Sequence, residues 1–377
     1  MRIRKLWSLG WRLRQWLLLL VLVRVFVITS IVGLDSRLPL HLRLVKFSDS
    51  TQRDGEFYHE LLGYTDVHYY VDIARYGYQA GNERNAFYPL WPSLLRCGRV
   101  LTGQTFLVGM LLTNLLSLVG FLIFYQLCRE ESGKRCAGLA LLLLICWPTG
   151  FFFSIPYTES LFLFLSVGLF YALWHGQMRW VAVLAFLLPL CKAVGFLILV
   201  PLAWHLWERK RPCKEWLLLL SPVLGYGLYF LIMWSEAGNP LAGFEAQKGF
   251  PASPSLMKMF DLPGLWTAFT SVAALQNPLY SGLDRGLFLL YLGLLPLIWK
   301  YSRTYFFWAL CLGFIPAFSS HFMSFARYQL VIFPLFFALG KILSEQKGWT
   351  VHFYYLIICS GLQLYLLYHL VRGGWVG

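Results

Sequence analysis

The chain reads as an all-α polytopic membrane protein of about 11 membrane-crossing helices, and three observations carry that reading. Of its 377 residues 58% are hydrophobic and only 13% are charged, with mean hydropathy +0.59; soluble domains carry roughly 25% charged residues. Apolar runs of about 17 to 25 residues, the length needed to cross a hydrocarbon core, recur from Trp16 to the C-terminus with short polar breaks between them. A bilayer admits only helices or closed barrels, and runs this long and continuous are helical.

The first apolar run, from Trp16, is long and lacks a small-residue cleavage site, so it is expected to stay as a first span rather than leave as a signal peptide. Before it stand Arg2, Arg4, Lys5, Arg12 and Arg14 with no acid, which places the N-terminus in the cytoplasm by the positive-inside rule. The breaks at 129–135, 177–179, 208–215, 300–303 and 341–347 are basic or neutral and belong on the same side. A single span from Trp180 to Trp207 would put Arg209-Lys210-Arg211 outside. Two shorter helices broken at Lys192-Ala193-Val194-Gly195 restore the bias.

With that topology the chemically capable clusters fall on the outer face: residues 35–104, 154–160, 192–195, 235–284 and 319–329. The chain is expected to be one multi-pass domain, 1–377, in a plasma membrane if the source is bacterial. Two long outer loops, 35–104 and 235–284, would cap it. The net charge of +14 is assigned to cytoplasmic basic loops facing anionic lipid headgroups, and nucleic acid is not expected as a partner. Eight cysteines show no CxxC or Cys/His spacing, so neither a disulfide framework nor a metal site is expected.

Between Asp35 and Arg99 eight acidic and eight basic side chains balance, as in a folded surface. His59 to Ala74 suits a short helix. The prolines of Asn85-Ala86-Phe87-Tyr88-Pro89-Leu90-Trp91-Pro92 should break it, and Leu94 to Val100 would form an interfacial amphipathic segment. In the 235–284 loop, Asn239-Pro240, Phe250-Pro251, Ser253-Pro254 and an apolar patch from Leu262 to Phe269 suggest a flap partly embedded in the membrane.

Three elements stand out by order and spacing. The first is Asp66-x-His68-Tyr69, then Ile73-Ala74-Arg75-x-Gly77-Tyr78 and Phe87-Tyr88-Pro89-Leu90-x-Pro92. The second is Pro156-Tyr157-Thr158-Glu159-Ser160. The third is Arg327-Tyr328 running into Phe333-Pro334. Together they resemble the PIG-V-type (GPI mannosyltransferase 2-like) family of the GT-C superfamily of membrane glycosyltransferases. Thr65 departs from the family pattern, in which Trp usually precedes the Asp.

The resemblance implies a GT-C-type helical bundle and transfer of mannose, with inversion, from polyprenyl-phosphate mannose to a lipid-linked or exported acceptor on the outer face. It implies no cofactor and leaves open a partner subunit of the kind some members require. The chemistry matches the residues. Inverting transfer needs a general base for the acceptor hydroxyl, and Asp66 is the candidate. The leaving phosphate needs cationic or hydrogen-bonding partners, for which Lys192 and Arg327 are the candidates with His321 and Tyr328 in support. His68, Tyr69, Tyr157 and Glu159 complete the expected substrate pocket.

Each assignment has a plain alternative. Asp66 could cap a helix or sit in a salt bridge, His68 could be a packed histidine, and Tyr76-Gly77-Tyr78 could be an ordinary turn. Lys192 could snorkel to headgroups, Glu159 could cap the next helix, or the two could pair. Arg327 could anchor at the interface, and Arg24 could brace the first span. A transporter or flippase of lipid-linked sugars, or a non-catalytic subunit of a transferase, are the competing functional classes. Inverted repeats with paired broken helices would favour the transporter.

Overall fold

The computed structural model describes residues 65–250, 261–272, 281–314, 316, 319–346, 350–372, 374 and 376, with the side chains of 350–353 left aside. The expected first span with Arg24, the first outer loop up to residue 64, and residues 251–260 and 273–280 of the second loop lie outside the described residues. Every regular element described is helical.

Two short helices come first, α1 (Val67–Tyr76) and α2 (Leu90–Thr102). The amphipathic segment expected from Leu94 to Val100 starts earlier, at Leu90, with both prolines at its start. Pro89 is its N-cap and Pro92 sits in its first turn, where backbone N–H groups have no intrahelical partner to lose. Arg96 on α2 donates from Nε to the Ala74 carbonyl and from Nη2 to the Ile73 carbonyl, both at 3.0 Å. These bonds satisfy the open C-terminal carbonyls of α1. Gly77 follows with φ 73°, and a Cβ there would stand 2.8 Å from Glu236 Oε2, the oxygen that accepts from the Tyr78 N–H.

The bundle proper begins with α3 (Thr105–Ile145), interrupted at Gly133 (φ 84°, ψ 173°). The break falls in the polar stretch 129–135, where the sequence places a loop. Next come α4 (Glu159–Trp174), α5 (Met178–Cys191), α6 (Leu199–Glu208), α7 (Leu220–Ala237), α8 (Ala242–Gln247) and α9 (Leu262–Thr270). The remaining elements are α10 (Gly282–Tyr301), α11 (Arg303–Gly313), α12 (Phe325–Tyr328), α13 (Phe333–Glu345) and α14 (Thr350–Val371). Helix α3 is packed by both α4 and α13, α5 lies between α4 and α7, and α11 bridges α6 and α10. The core between them is nearly all apolar, centred on Phe121, Phe124, Phe162, Trp147, Trp308 and Phe333.

Among the described residues Thr105–Ile145, Cys213–Ala237, Gly282–Tyr301 and Tyr354–Val371 are long and apolar enough to cross a membrane. Phe325–Val331 with Phe333–Glu345 makes a fifth if its 80° bend lies within one span. Glu159–Trp174, Met178–Cys191 and Ala193–Glu208 are shorter apolar helices. The chain is therefore an integral membrane protein by composition and helix length. The tally of long helices among the described residues is lower than the eleven segments expected, since several segments are short or broken and the expected first span lies outside the described residues. At about 1.5 Å per residue, α4 rises only some 24 Å.

The polar loops gather at two ends. At one end His175 Nε2 meets Glu130 Oε2 at 3.3 Å, Tyr305 bonds Glu131, Arg303 lies 3.7 Å from Glu208, and Lys341 Nζ donates to Ser132 Oγ at 3.5 Å. At the other end lie Asp66, Glu159, Lys192 and Arg327. Antiparallel helices carry the chain from one to the other.

Close approach of α13 to α3 depends on Gly340, whose Cβ would stand 2.7 Å from Ala140 Cβ and 2.8 Å from the Ala140 backbone N. Gly340→Ala is expected to cost about 1–3 kcal/mol through overpacking. Gly293→Ala, with nothing within 4 Å of the added carbon, should be neutral. Thermal unfolding of the two variants in detergent micelles checks this: only Gly340→Ala should lower the midpoint.

Candidate active site

Asp66 is the N-cap residue of α1, yet its side chain caps nothing. Its Oδ2 accepts instead from Arg327 Nη1 at 3.1 Å. The guanidinium then leads to Glu159, with Nε 3.6 Å from Oε1, too long for a hydrogen bond but within ion-pair range. The same Glu159 Oε1 accepts from Lys192 Nζ at 2.7 Å. Four charges of alternating sign form a ladder: Asp66, Arg327, Glu159, Lys192.

Burial varies along it. Glu159 is 1% exposed and Arg327 8%, whereas the two ends, Asp66 and Lys192, are 16% and 17% exposed. Charges in the middle are compensated by each other, as buried charges must be. The ends can meet a ligand. Glu159 Oε2 and Arg327 Nε are buried without a hydrogen-bond partner among the described residues, so the middle of the ladder retains capacity for polar contacts.

Local backbone explains the placement of each group. Lys192 is extended (φ −151°, ψ 147°) between the end of α5 at Cys191 and the turn Ala193–Ile198. Pro189 lies inside the last turn of α5. Behind Lys192, a Cβ on Gly195 would lie 2.2 Å from the Leu188 carbonyl, so only glycine lets the chain fold back so tightly. Glu159 opens α4, with the N-cap Thr158 making no side-chain cap. Arg327 lies on α12 after Ser324, a non-glycine residue at φ 66°.

The peptide just before Arg327 is held from both sides. Asp284 Oδ1, 8% exposed, accepts from the Ala326 N–H at 2.6 Å. The Ala326 carbonyl accepts from Thr149 Oγ1 at 2.8 Å and Trp147 Nε1 at 3.3 Å. One residue on from Tyr328, Gln329 Nε2 donates to the Leu287 carbonyl at 2.8 Å. Asp284, Trp147 and Thr149 are supporting residues that the sequence reading passes over. Asp284 hides within Ser281-Gly-Leu-Asp284, which reads as a helix start and is one: the Ser281 hydroxyl accepts from the Asp284 N–H at 3.2 Å.

Aromatic rings wall the ladder. The Arg327 guanidinium lies 5.3 Å from the Tyr157 ring centre and 5.5 Å from those of Phe152 and Tyr328. Lys192 Nζ lies 5.9 Å from Tyr328. Tyr157 Oη also accepts from the Asp66 N–H at 3.2 Å. Burial, with the Asp66 charge second, pushes the Tyr157 phenol above its ordinary range and keeps it neutral.

The structure therefore brings Asp66, Glu159, Lys192, Arg327, Tyr157 and Tyr328 together. His68 and Tyr69 point into a neighbouring patch. His68 Nδ1 lies 2.6 Å from the Thr65 carbonyl, while Tyr69 Oη donates to Glu83 Oε1 at 2.9 Å and its ring stacks on Phe87 at 4.6 Å. His321 is buried, its Nδ1 accepting from the Met323 N–H at 3.4 Å and its carbonyl accepting from Ser319 Oγ at 2.9 Å. Among the described residues no group of three or more His, Cys, Asp or Glu side chains could hold a metal ion.

No family model matches the chain, and a search of curated proteins finds no match. Among solved structures the chain is similar to the crystal structure of the Archaeoglobus fulgidus oligosaccharyltransferase tethered to an acceptor peptide containing the NVT sequon. The identity is 14% and the TM-score 0.42, with 94% of this chain and 55% of that one covered. The chain thus spans about half the length of that enzyme.

Two outcomes follow from this geometry. Glu159→Ala should cost about 3–5 kcal/mol, because it leaves two cations, Arg327 and Lys192, without their shared carboxylate. A cycle with Lys192→Met, read by thermal unfolding, should show strong coupling between the two sites. Asp284→Ala should cost about 1–3 kcal/mol by stranding the buried Ala326 N–H, with Asp284→Asn recovering part of that loss through its carbonyl oxygen.

Proposed function

We propose that the chain is an inverting glycosyltransferase that moves mannose from polyprenyl-phosphate mannose to a lipid-linked or exported acceptor at the outer face of its membrane. The single observation that carries the reading is the charge ladder, with a carboxylate at one accessible end and an ammonium at the other. Sugar and donor class come from the resemblance of the Asp66, Pro156–Ser160 and Arg327–Pro334 elements to the PIG-V-type family.

In this reading Asp66 takes the acceptor hydroxyl proton as the new C1–O bond forms. The bond from C1 to the phosphate oxygen breaks on the opposite face, and its electrons leave with polyprenyl phosphate. Asp66 can do this because one of its oxygens is fixed by Arg327 while the other has no partner among the described residues. Lys192 meets the departing phosphate, where a cation contributes most because charge accumulates there in the transition state. A phosphate ester leaves as a stable anion, so no strong general acid is needed. Tyr157 and Arg327 act as positioning residues for Asp66.

A second reading, movement of lipid-linked sugars without chemistry, is favoured by one observation. Two broken helices meet at the ladder, one at Lys192 and one at the 80° bend before Phe333, and paired broken helices are a transporter device.

Membranes containing the wild type, Asp66→Asn or Lys192→Met, given radiolabelled polyprenyl-phosphate mannose, separate the two. Transfer of label into lipid or protein fractions should fall by about 100-fold or more in Asp66→Asn at equal expression. Lys192→Met should fall too, with Lys192→Arg partly restored. Equal transfer in wild type and Asp66→Asn would refute the base. Label that crosses the bilayer still attached to its carrier would establish the transporter instead.

A further inference from the structure

At the end of the bundle remote from the ladder an open groove of about 580 Å³ runs along α6. Its floor is Leu199, Val200 and Ala203, and its mouth is framed by Trp204, Trp207 and Trp216, with Phe307 opposite. No polar side chain lines it apart from the indole edges. Much of this surface is exposed, Trp207 to 61% and Val200 to 42%.

Charge gathers where the groove ends. The Arg303 guanidinium lies 5.2 Å from the Trp299 ring centre and 6.0 Å from that of Trp204. Trp207 leads directly into Glu208-Arg209-Lys210-Arg211, and Trp216 follows Lys214 and Glu215. Two of these cations are neutralised, Arg211 by Glu215 at 3.0 Å and Arg303 by Glu208 at 3.7 Å. Arg209, Lys210 and Lys214 are exposed and have no acidic partner among the described residues. The turn that presents them is built for it. Lys210 takes φ 47°, and its N–H and that of Arg211 are held by the carbonyls of Trp207 and Leu206 at 3.1 and 2.9 Å.

We propose that this groove binds one anionic glycerophospholipid, with an acyl chain along Leu199, Val200 and Ala203 and its phosphate beside Arg209 and Lys210. An apolar trough on a bilayer-embedded helix must be covered by hydrocarbon, and indole rings sit at the headgroup level of membranes. Arg209, Lys210 and Lys214 at the mouth, without an acidic partner among the described residues, select a negative headgroup. The sugar donor does not fit this site. In the transferase reading its phosphate meets Lys192, and α6 together with the turn Ala193–Ile198 separates that residue from the mouth. The inference needs the chain to be in a membrane and does not rest on the transferase reading.

Native mass spectrometry of the full chain in detergent, titrated with phosphatidylglycerol or phosphatidylcholine, tests it. A first lipid should bind with clear preference for phosphatidylglycerol. Arg209→Gln/Lys210→Gln should weaken that step roughly 30-fold, from about 1 kcal/mol per basic residue near a lipid surface. Ala203→Phe should weaken it by filling the trough, while leaving the elution profile of the protein unchanged. Equal binding of the two lipids would overturn the proposal. So would a loss on charge removal with none on Ala203→Phe, since the lipid would then be held by charge alone. A dimer peak that Ala203→Phe abolishes, with no lipid adduct, would assign the groove to a second copy of the chain.

Discussion

Arg327 is the residue on which the candidate site depends. A guanidinium 8% exposed inside an apolar bundle cannot stand without anions, and it takes two, Asp66 and Glu159, both far from it along the chain. Asp66 is 261 residues away in sequence. That one contact therefore fixes α1 against α12, and Glu159 fixes the start of α4 to both. Remove the cation and two carboxylates would face each other in a poorly hydrated space. The ladder is thus held by mutual compensation, and no member can be understood alone.

Backbone irregularity is concentrated around these groups. Lys192 is extended where a helix would otherwise continue, Ser320 and Ser324 adopt positive φ, and the chain bends by 80° between Val331 and Phe333. The positive φ of Ser320 and Ser324 costs free energy and persists only where the surroundings determine it. Here the surroundings are visible. The Ala326 peptide is fixed by Asp284 on one side and by Thr149 and Trp147 on the other, and Gln329 is tied to Leu287. Regular helices would carry these side chains past the site rather than into it.

Much of this was legible in the sequence because membranes simplify the code. The apolar runs announce helices, and ionisable residues among them announce a site, since they are too costly to keep without a partner. Pairing of Glu159 with Lys192 and a helix break at Lys192 could both be read in advance. Three things could not. The prolines at 89 and 92 look like breakers, yet they serve the start of α2, where the missing N–H costs nothing. Asp284 lies in the first turn of α10, capped by Ser281, and that ordinary helix start conceals its bond to Ala326. His68 and Tyr69 sit in the same short motif as Asp66, but their contacts run to the Thr65 carbonyl, Glu83 and Phe87, partners that the motif itself does not announce.

The gradient of exposure along the ladder bears on how such a site can act. Asp66 and Lys192 are separated by two buried groups of opposite sign that compensate each other. A ligand anion arriving at Lys192 would compete with Glu159 for the ammonium. Glu159, so released, still has Arg327 beside it, and Arg327 has Nε in reserve. The pairing can then shift along the chain of charges without leaving any of them uncompensated. A single ion pair could not do this, because a ligand that broke it would strand the other partner at a cost of several kcal/mol. An alternating row of four lets one end change partner while the other end, Asp66, remains held by Arg327.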